Sequence, residues 1–221
     1  VKHTTYNCFN VAASTMVRCV HTDLFALDTA RDEGVEEILD AALDVFAKIG
    51  IRRATVDEIA QRAGLGRVTI YRRVGGKNEI VSAVLIRESQ KLFEAVRAAA
   101  ARTDNFADRV VHSFATTIET VRTNAVWNRL LDIEPDTVLP RLTLEASPLL
   151  AGAVAATAEV LRGPDVAAVP EPELLARAEI LVRITHSILL TPAVLAPLET
   201  YEQVEQFARQ SLLPIASTPK P

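Results

Sequence analysis

The sequence predicts an all-α fold, on three observations. Apolar residues make up 49% of the 221 and are mainly Ala, Leu and Val, while aromatics account for only 5%, a mixture that favours helix over sheet. They recur at spacings of three and four, the period of one helical face. Gly50, Gly64 and the pairs Glu134-Pro135 and Gly163-Pro164 stand where these stretches stop, as helix terminators do.

Taken in order, residues 1–32 show no periodicity and mix polar, aromatic and thiol side chains. They are expected to be an N-terminal extension of no assigned role, loosely ordered or an over-extended start of the reading frame. From Glu33 the pattern sharpens: Ile38, Ala42, Val45, Phe46 and Ile49 share a face, and Gly50 ends the helix. Thr55 followed by Glu58 forms a capping-box pattern that predicts a helix from Val56 to Gly64, where a glycine can adopt the left-handed closing conformation. A second short helix is predicted from Arg67 to Val74, with Ile70 and Val74 packing back on the first. Lys77 opens a long amphipathic helix to about Ala101. Asp104 or Asn105 caps the next, which turns Phe106, Val110, Phe114, Ile118 and Val121 inward. A short helix at Trp127–Ile133 stops at Glu134-Pro135, and an Ala/Val/Leu-rich segment covers Glu145–Leu161. A loop follows, then helices at Glu173–Leu190 and Thr200–Leu213, and a tail from about 214. These elements divide into a head over 33–80, a body over 81–214 and a tail over 215–221.

Composition narrows the function. No apolar run approaches the ~18 residues that span a bilayer, so no membrane association is expected. Cys8 and Cys19 can form neither a disulfide framework nor a zinc site by themselves, which fits a reducing cytoplasm. No GxxxxGK, HExxH or GxSxG pattern occurs; no cofactor, metal or catalytic residue is expected, and the chain reads as a non-enzyme. Charge points elsewhere. Between Lys48 and Lys77 stand eight basic residues (Lys48, Arg52, Arg53, Arg62, Arg67, Arg72, Arg73, Lys77) against Asp57 and Glu58, a net +6 in a chain whose total is −4, so the remainder carries −10. Clustered base of this kind neutralises phosphates and releases counterions. With two short helices around a glycine turn, it gives helix-turn-helix geometry.

The segment Ile59-Ala60-Gln61-Arg62-Ala63-Gly64, then Thr69-Ile70-Tyr71-Arg72-Arg73-Val74-Gly75-Gly76-Lys77, resembles the N-terminal domain of the tetracycline-repressor (TetR) family of bacterial transcription regulators. The resemblance covers roughly Gly34 to Ile86. Val74 departs from the Phe usual there, and Gly66 from the usual Ser or other capping residue. The resemblance implies a ligand-responsive, homodimeric regulator, a repressor by expectation, binding a double-stranded DNA operator. Arg67, Val68 and Thr69 would face bases in the major groove, while Thr55, Gly66, Tyr71, Arg72 and Lys77 would lie against the backbone. It also implies that the body binds a small inducer and dimerises. Phe93, His112, Phe114, Thr117, Trp127, Leu130 and Leu131 are the candidates to line an apolar cavity, and their character favours a mostly hydrophobic ligand. Leu181, Ile184, Thr185, Ile188, Val204, Phe207 and Leu212 lie on apolar stripes of the last two helices, which either pack on their own subunit or build a two-fold interface; the resemblance favours the interface. The alternative function is a helical head-and-body protein that acts mainly through a protein partner with weak operator selectivity.

Overall fold

The computed structural model describes residues 33–163, 169–191 and 193–217; the N-terminal extension of 1–32 lies outside them. Every regular element among the described residues is helical: α1 (Glu33–Ile49), α2 (Val56–Ala63), α3 (Arg67–Arg73), α4 (Lys77–Ala100), α5 (Phe106–Thr123), α6 (Ala125–Ile133), α7 (Pro135–Leu142), α8 (Ser147–Leu161), α9 (Glu171–Leu190), α10 (Tyr201–Phe207), a π-helical turn at Ala208–Leu212, and α11 (Leu213–Ala216). The all-α expectation holds. No single helix among the described residues is long and apolar enough to cross a membrane.

The chain forms two compact units. One contains the described chain up to Lys91 together with Asn124–Leu149; the other contains Leu92–Thr123 and the chain from Leu150 on. The helix α4 runs through the boundary. In the first unit, Ile38, Ala42, Phe46, Ile59, Ile70, Ile80, Val81 and Val84 are enclosed in one apolar core, to which α6 and α7 add Leu130 and Val138. Sequence periodicity placed α6 in the body because nothing in an apolar stripe says which partner it faces. The unit is pinned by Arg87, only 4% exposed, whose Nη1 donates to Asp40 Oδ1 at 2.8 Å and Glu36 Oε2 at 3.4 Å. A buried guanidinium with carboxylate partners on a neighbouring helix fixes how α1 and α4 align, since removing either side strands a charge.

In the second unit Val111, Phe114, Ala115, Ile118, Ala158, Leu161, Ala178, Leu181, Val204 and Leu212 form the core. Buried Arg109 ties α5 to α8, its Nε donating to Val160 O at 2.9 Å, while its Nη1 donates to Asp104 O at 3.2 Å. Phe114 and Phe207 meet with ring centroids 5.9 Å apart.

The helix ends explain most of the boundaries. Asn105 Oδ1 accepts from the Asp108 N–H at 3.1 Å, settling which of Asp104 and Asn105 caps α5. Two caps add to those expected from sequence: Asn124, whose Oδ1 takes the Val126 and Trp127 N–H groups at 3.1 Å each, and the Thr200/Gln203 capping box of α10. Pro135, read as a stop, opens α7 at its first turn, where its preset φ and missing N–H cost nothing. At the C-terminus helix continues past 214, and Ala216 is buried.

Candidate nucleic-acid interface

The head is built around its caps. Thr55 Oγ1 accepts from the Glu58 N–H at 3.2 Å, and Glu58 Oε2 in return accepts from the Thr55 N–H at 2.8 Å and from the Thr55 hydroxyl at 2.8 Å, the reciprocal box that the spacing predicts. Gly64 closes α2 at φ +67°. Gly66 then starts α3 with no side-chain cap, and its carbonyl accepts from the Thr69 N–H at 2.9 Å. Ile70 is fully buried beneath it.

The opposite face of α3 points outward. Val68 is 81% exposed and Tyr71 47%, and Arg67 and Arg72 are exposed while Thr69 is half-buried. A valine left that open has no folding reason to be there and offers an apolar contact suited to a thymine methyl. Arg52, Arg53, Arg62 and Arg73 are also exposed, so the basic window is surface rather than core. Arg62 is paired with Asp44, and the Arg73 guanidinium occupies the space a side chain would need at Gly34. The Arg67 guanidinium donates from Nη1 to Asp57 Oδ2 at 3.1 Å and from Nη2 towards the Tyr71 hydroxyl at 3.5 Å, and lies 5.5 Å from the centre of the Tyr71 ring. The Tyr71 hydroxyl, and with it the Asp57 carboxylate, raise the guanidinium's pKa above its ordinary value.

The turn before α2 is held at both ends of one residue. Glu134, at the α6–α7 junction, takes the Arg52 N–H on both carboxylate oxygens at 3.0 and 2.8 Å, and Lys77 Nζ donates to the Arg52 carbonyl at 2.8 Å. Gly50, at φ +83°, passes so close that a Cβ there would stand 2.4 Å from Glu134 Oε1. Glu134 escaped the sequence reading because a partner 82 residues away leaves no local signal.

The remaining sequence candidates divide between the units. Trp127, Leu130 and Leu131 belong to the apolar core of the head's unit, whereas Phe93, His112, Phe114 and Thr117 lie in the other. Phe93 and Phe114 are buried, His112 Nε2 stands 3.5 Å from Glu205 Oε1, and the Thr117 hydroxyl donates to the Ser113 carbonyl at 2.8 Å. Ser113 itself went unnoticed: its buried hydroxyl has no hydrogen-bond partner among the described residues. Of the stripe residues, Leu181, Val204 and Leu212 are enclosed in their own unit's core, while Ile184, Thr185, Ile188 and Phe207 are half-buried. A side chain already enclosed has no surface left to give a second subunit.

Comparison with known proteins agrees with this geometry. Residues 38–84 match the family model described as bacterial regulatory proteins, tetR family. The chain is similar to that family over its helix-turn-helix head. Its relatives include the HTH-type transcriptional regulator SrpR of Pseudomonas putida, 41% identical over 61 residues, which are 28% of this chain and 29% of SrpR. Another is the HTH-type transcriptional activator FasR of Mycolicibacterium smegmatis, 38% identical over 80 residues and 36% of each chain. The chain thus spans about a third of the length of these curated relatives. Among solved structures, the TetR family repressor AlkX from Dietzia sp. strain DQ12-45-1b superposes over 81% of this chain and 96% of its own, with a TM-score of 0.65 and 20% identity. That likeness extends the tetR fold beyond the head.

Proposed function

We propose that this protein is a ligand-responsive, homodimeric tetR-family transcriptional regulator of the repressor type, acting on double-stranded DNA in the cytoplasm. The observation that carries the reading is the outward face of α3, where Arg67, Val68 and Tyr71 stand exposed among clustered arginines while Ile70 anchors the helix from beneath. Arg67, Val68 and Thr69 read bases in the major groove; Thr55, Gly66, Tyr71, Arg72 and Lys77 position the backbone. Lys77 does so from the first turn of α4, where the helix's own N–H groups add to its charge. Arg67→Ala is expected to lower operator affinity by ~1–3 kcal/mol and to relax base preference, and Lys77→Ala to weaken all DNA about equally. Gel-shift titration against matched operator variants at one salt concentration separates the two, and an unchanged ranking of variants in Arg67→Ala would remove Arg67 from base reading.

The second unit is proposed as the ligand-binding and dimerising part. Two half-sites need two heads, and Ile180, 48% exposed, continues into half-buried Ile184 and Ile188 along one ridge of α9. A mostly hydrophobic ligand is supported by buried Phe93 and Phe114, with the unpartnered Ser113 hydroxyl as a polar group to be answered. Coupling would travel along α4, which carries Lys77 at one end and Phe93 and Val96 towards the other, at the ~1–3 kcal/mol usual for such linkage.

A further inference from the structure

The base-reading arginine of α3 is not held by its own helix alone. Asp57 approaches from the first turn of α2 and Tyr71 from one turn further along α3, so contacts from two helices converge on the Arg67 guanidinium. An unrestrained arginine has four rotatable bonds to freeze when it docks on a base, whereas one braced beforehand has already lost most of that freedom. Bracing does not exhaust it. Of the five N–H groups of a guanidinium, Asp57 and Tyr71 engage two, which leaves enough donors for a two-point contact to guanine O6 and N7.

Charge sets Asp57 apart from its surroundings. Asp57 and Glu58 are the two acids in a window of eight bases. Glu58 is consumed by the cap of α2, where it receives the Thr55 N–H. Asp57 makes no such bond; its side chain remains 65% exposed, 3.1 Å from a group that would lie against DNA. A carboxylate there repels phosphate and weakens binding to any duplex, so it has an effect opposite to that of every neighbour.

We infer that Asp57 is a specificity-determining residue: it aims Arg67 at a guanine and, by its charge, disfavours DNA that lacks one. The inference rests on the reading of α3 as the base-reading helix. If it holds, removing the charge moves two affinities in opposite directions, which a merely structural role at the start of α2 would not do.

The test is enrichment from a pool of short duplexes with a randomised centre, followed by titration of the enriched duplex and a scrambled one at a single salt concentration, for the wild type, Asp57→Asn, Arg67→Ala and the double variant. Asp57→Asn is expected to bind the scrambled duplex about twofold or more tighter, through the lost repulsion. Its preference for enriched over scrambled DNA should fall about tenfold, within the span that one two-point guanine contact covers. The loss should be confined to one base-pair position. In the Arg67→Ala background the same substitution should leave base preference unchanged, because Asp57 acts through Arg67. Asp57→Ala should behave as Asp57→Asn. If Asp57→Asn enriches the same motif with the same guanine dependence, or weakens both duplexes together, the inference is overturned while the base-reading helix stands. A wild type that enriches no motif overturns both.

Discussion

At the scale of the residue, Gly50 has the least freedom to change. Its φ of +83° is a conformation that side-chain-bearing residues adopt at a cost, and a Cβ there would collide with the Glu134 carboxylate. Gly50→Ala therefore adds backbone strain of about 1 kcal/mol or more and expels Glu134 from the Arg52 N–H, leaving a part-buried donor unpaired for about another 1 kcal/mol. The combined loss should lower the thermal midpoint by about 4–8 °C in a chain of this length. Thermal unfolding of Gly50→Ala beside Glu134→Ala checks the account: if the Glu134 contact contributes, the second variant reproduces part of the first's loss. An Ala variant as stable as the parent would show that the turn relaxes into another shape. Gly66 is a contrasting case. Its φ of −75° is ordinary and its nearest foreign atom is 3.9 Å from where a Cβ would stand, so nothing in the fold demands glycine there.

Among elements, α2 shows how a short helix is made to stand alone. Its 8 residues are fewer than an isolated helix needs in water, and its stability comes from the Thr55/Glu58 box, the Gly64 close and the burial of Val56, Ile59 and Ala60. Thr55→Ala is expected to cost ~1 kcal/mol by chemical denaturation, with Thr55→Ser recovering most of it; a silent Thr55→Ala would mean that Glu58 holds the turn without the hydroxyl. This element is legible in the sequence because each of its signals is local. The same is true of α3, Gly64 and the start of α4 at Lys77. What the sequence concealed depends on distance along the chain. Glu134 binding Arg52, Arg87 binding Asp40, and the packing of Leu130 and Val138 into the head's core all join segments more than forty residues apart, and periodicity carries no address. Asn124 and the Thr200/Gln203 box are local signals of the same kind, a polar residue just ahead of each apolar stripe.

For the whole molecule, the proposed dimer requires an apolar surface that its own subunit leaves uncovered. The stripes predicted from spacing mix residues that face inward with residues that do not: Leu181, Val204 and Leu212 complete their own subunit, while Ile180, Ile184 and Ile188 run along one ridge of α9 and are at least partly exposed. Ile180→Glu should therefore yield a folded monomer by light scattering, with helix content unchanged, whereas Leu181→Glu buries an unpaired carboxylate and should unfold its own subunit. A dimer that persists in Ile180→Glu would move the interface off this ridge. The uneven charge of the molecule has a consequence at the bench. With a sequence pI of 5.6 the protein should pass through a cation exchanger at neutral pH. Yet a resin senses the patch that touches it, not the average, and Arg52, Arg53, Arg72 and Arg73 all lie exposed within one short stretch. Such a molecule should adhere to phosphocellulose and to an anion exchanger alike, turning a different side to each. Lys77→Ala should elute earlier from the first and no earlier from the second.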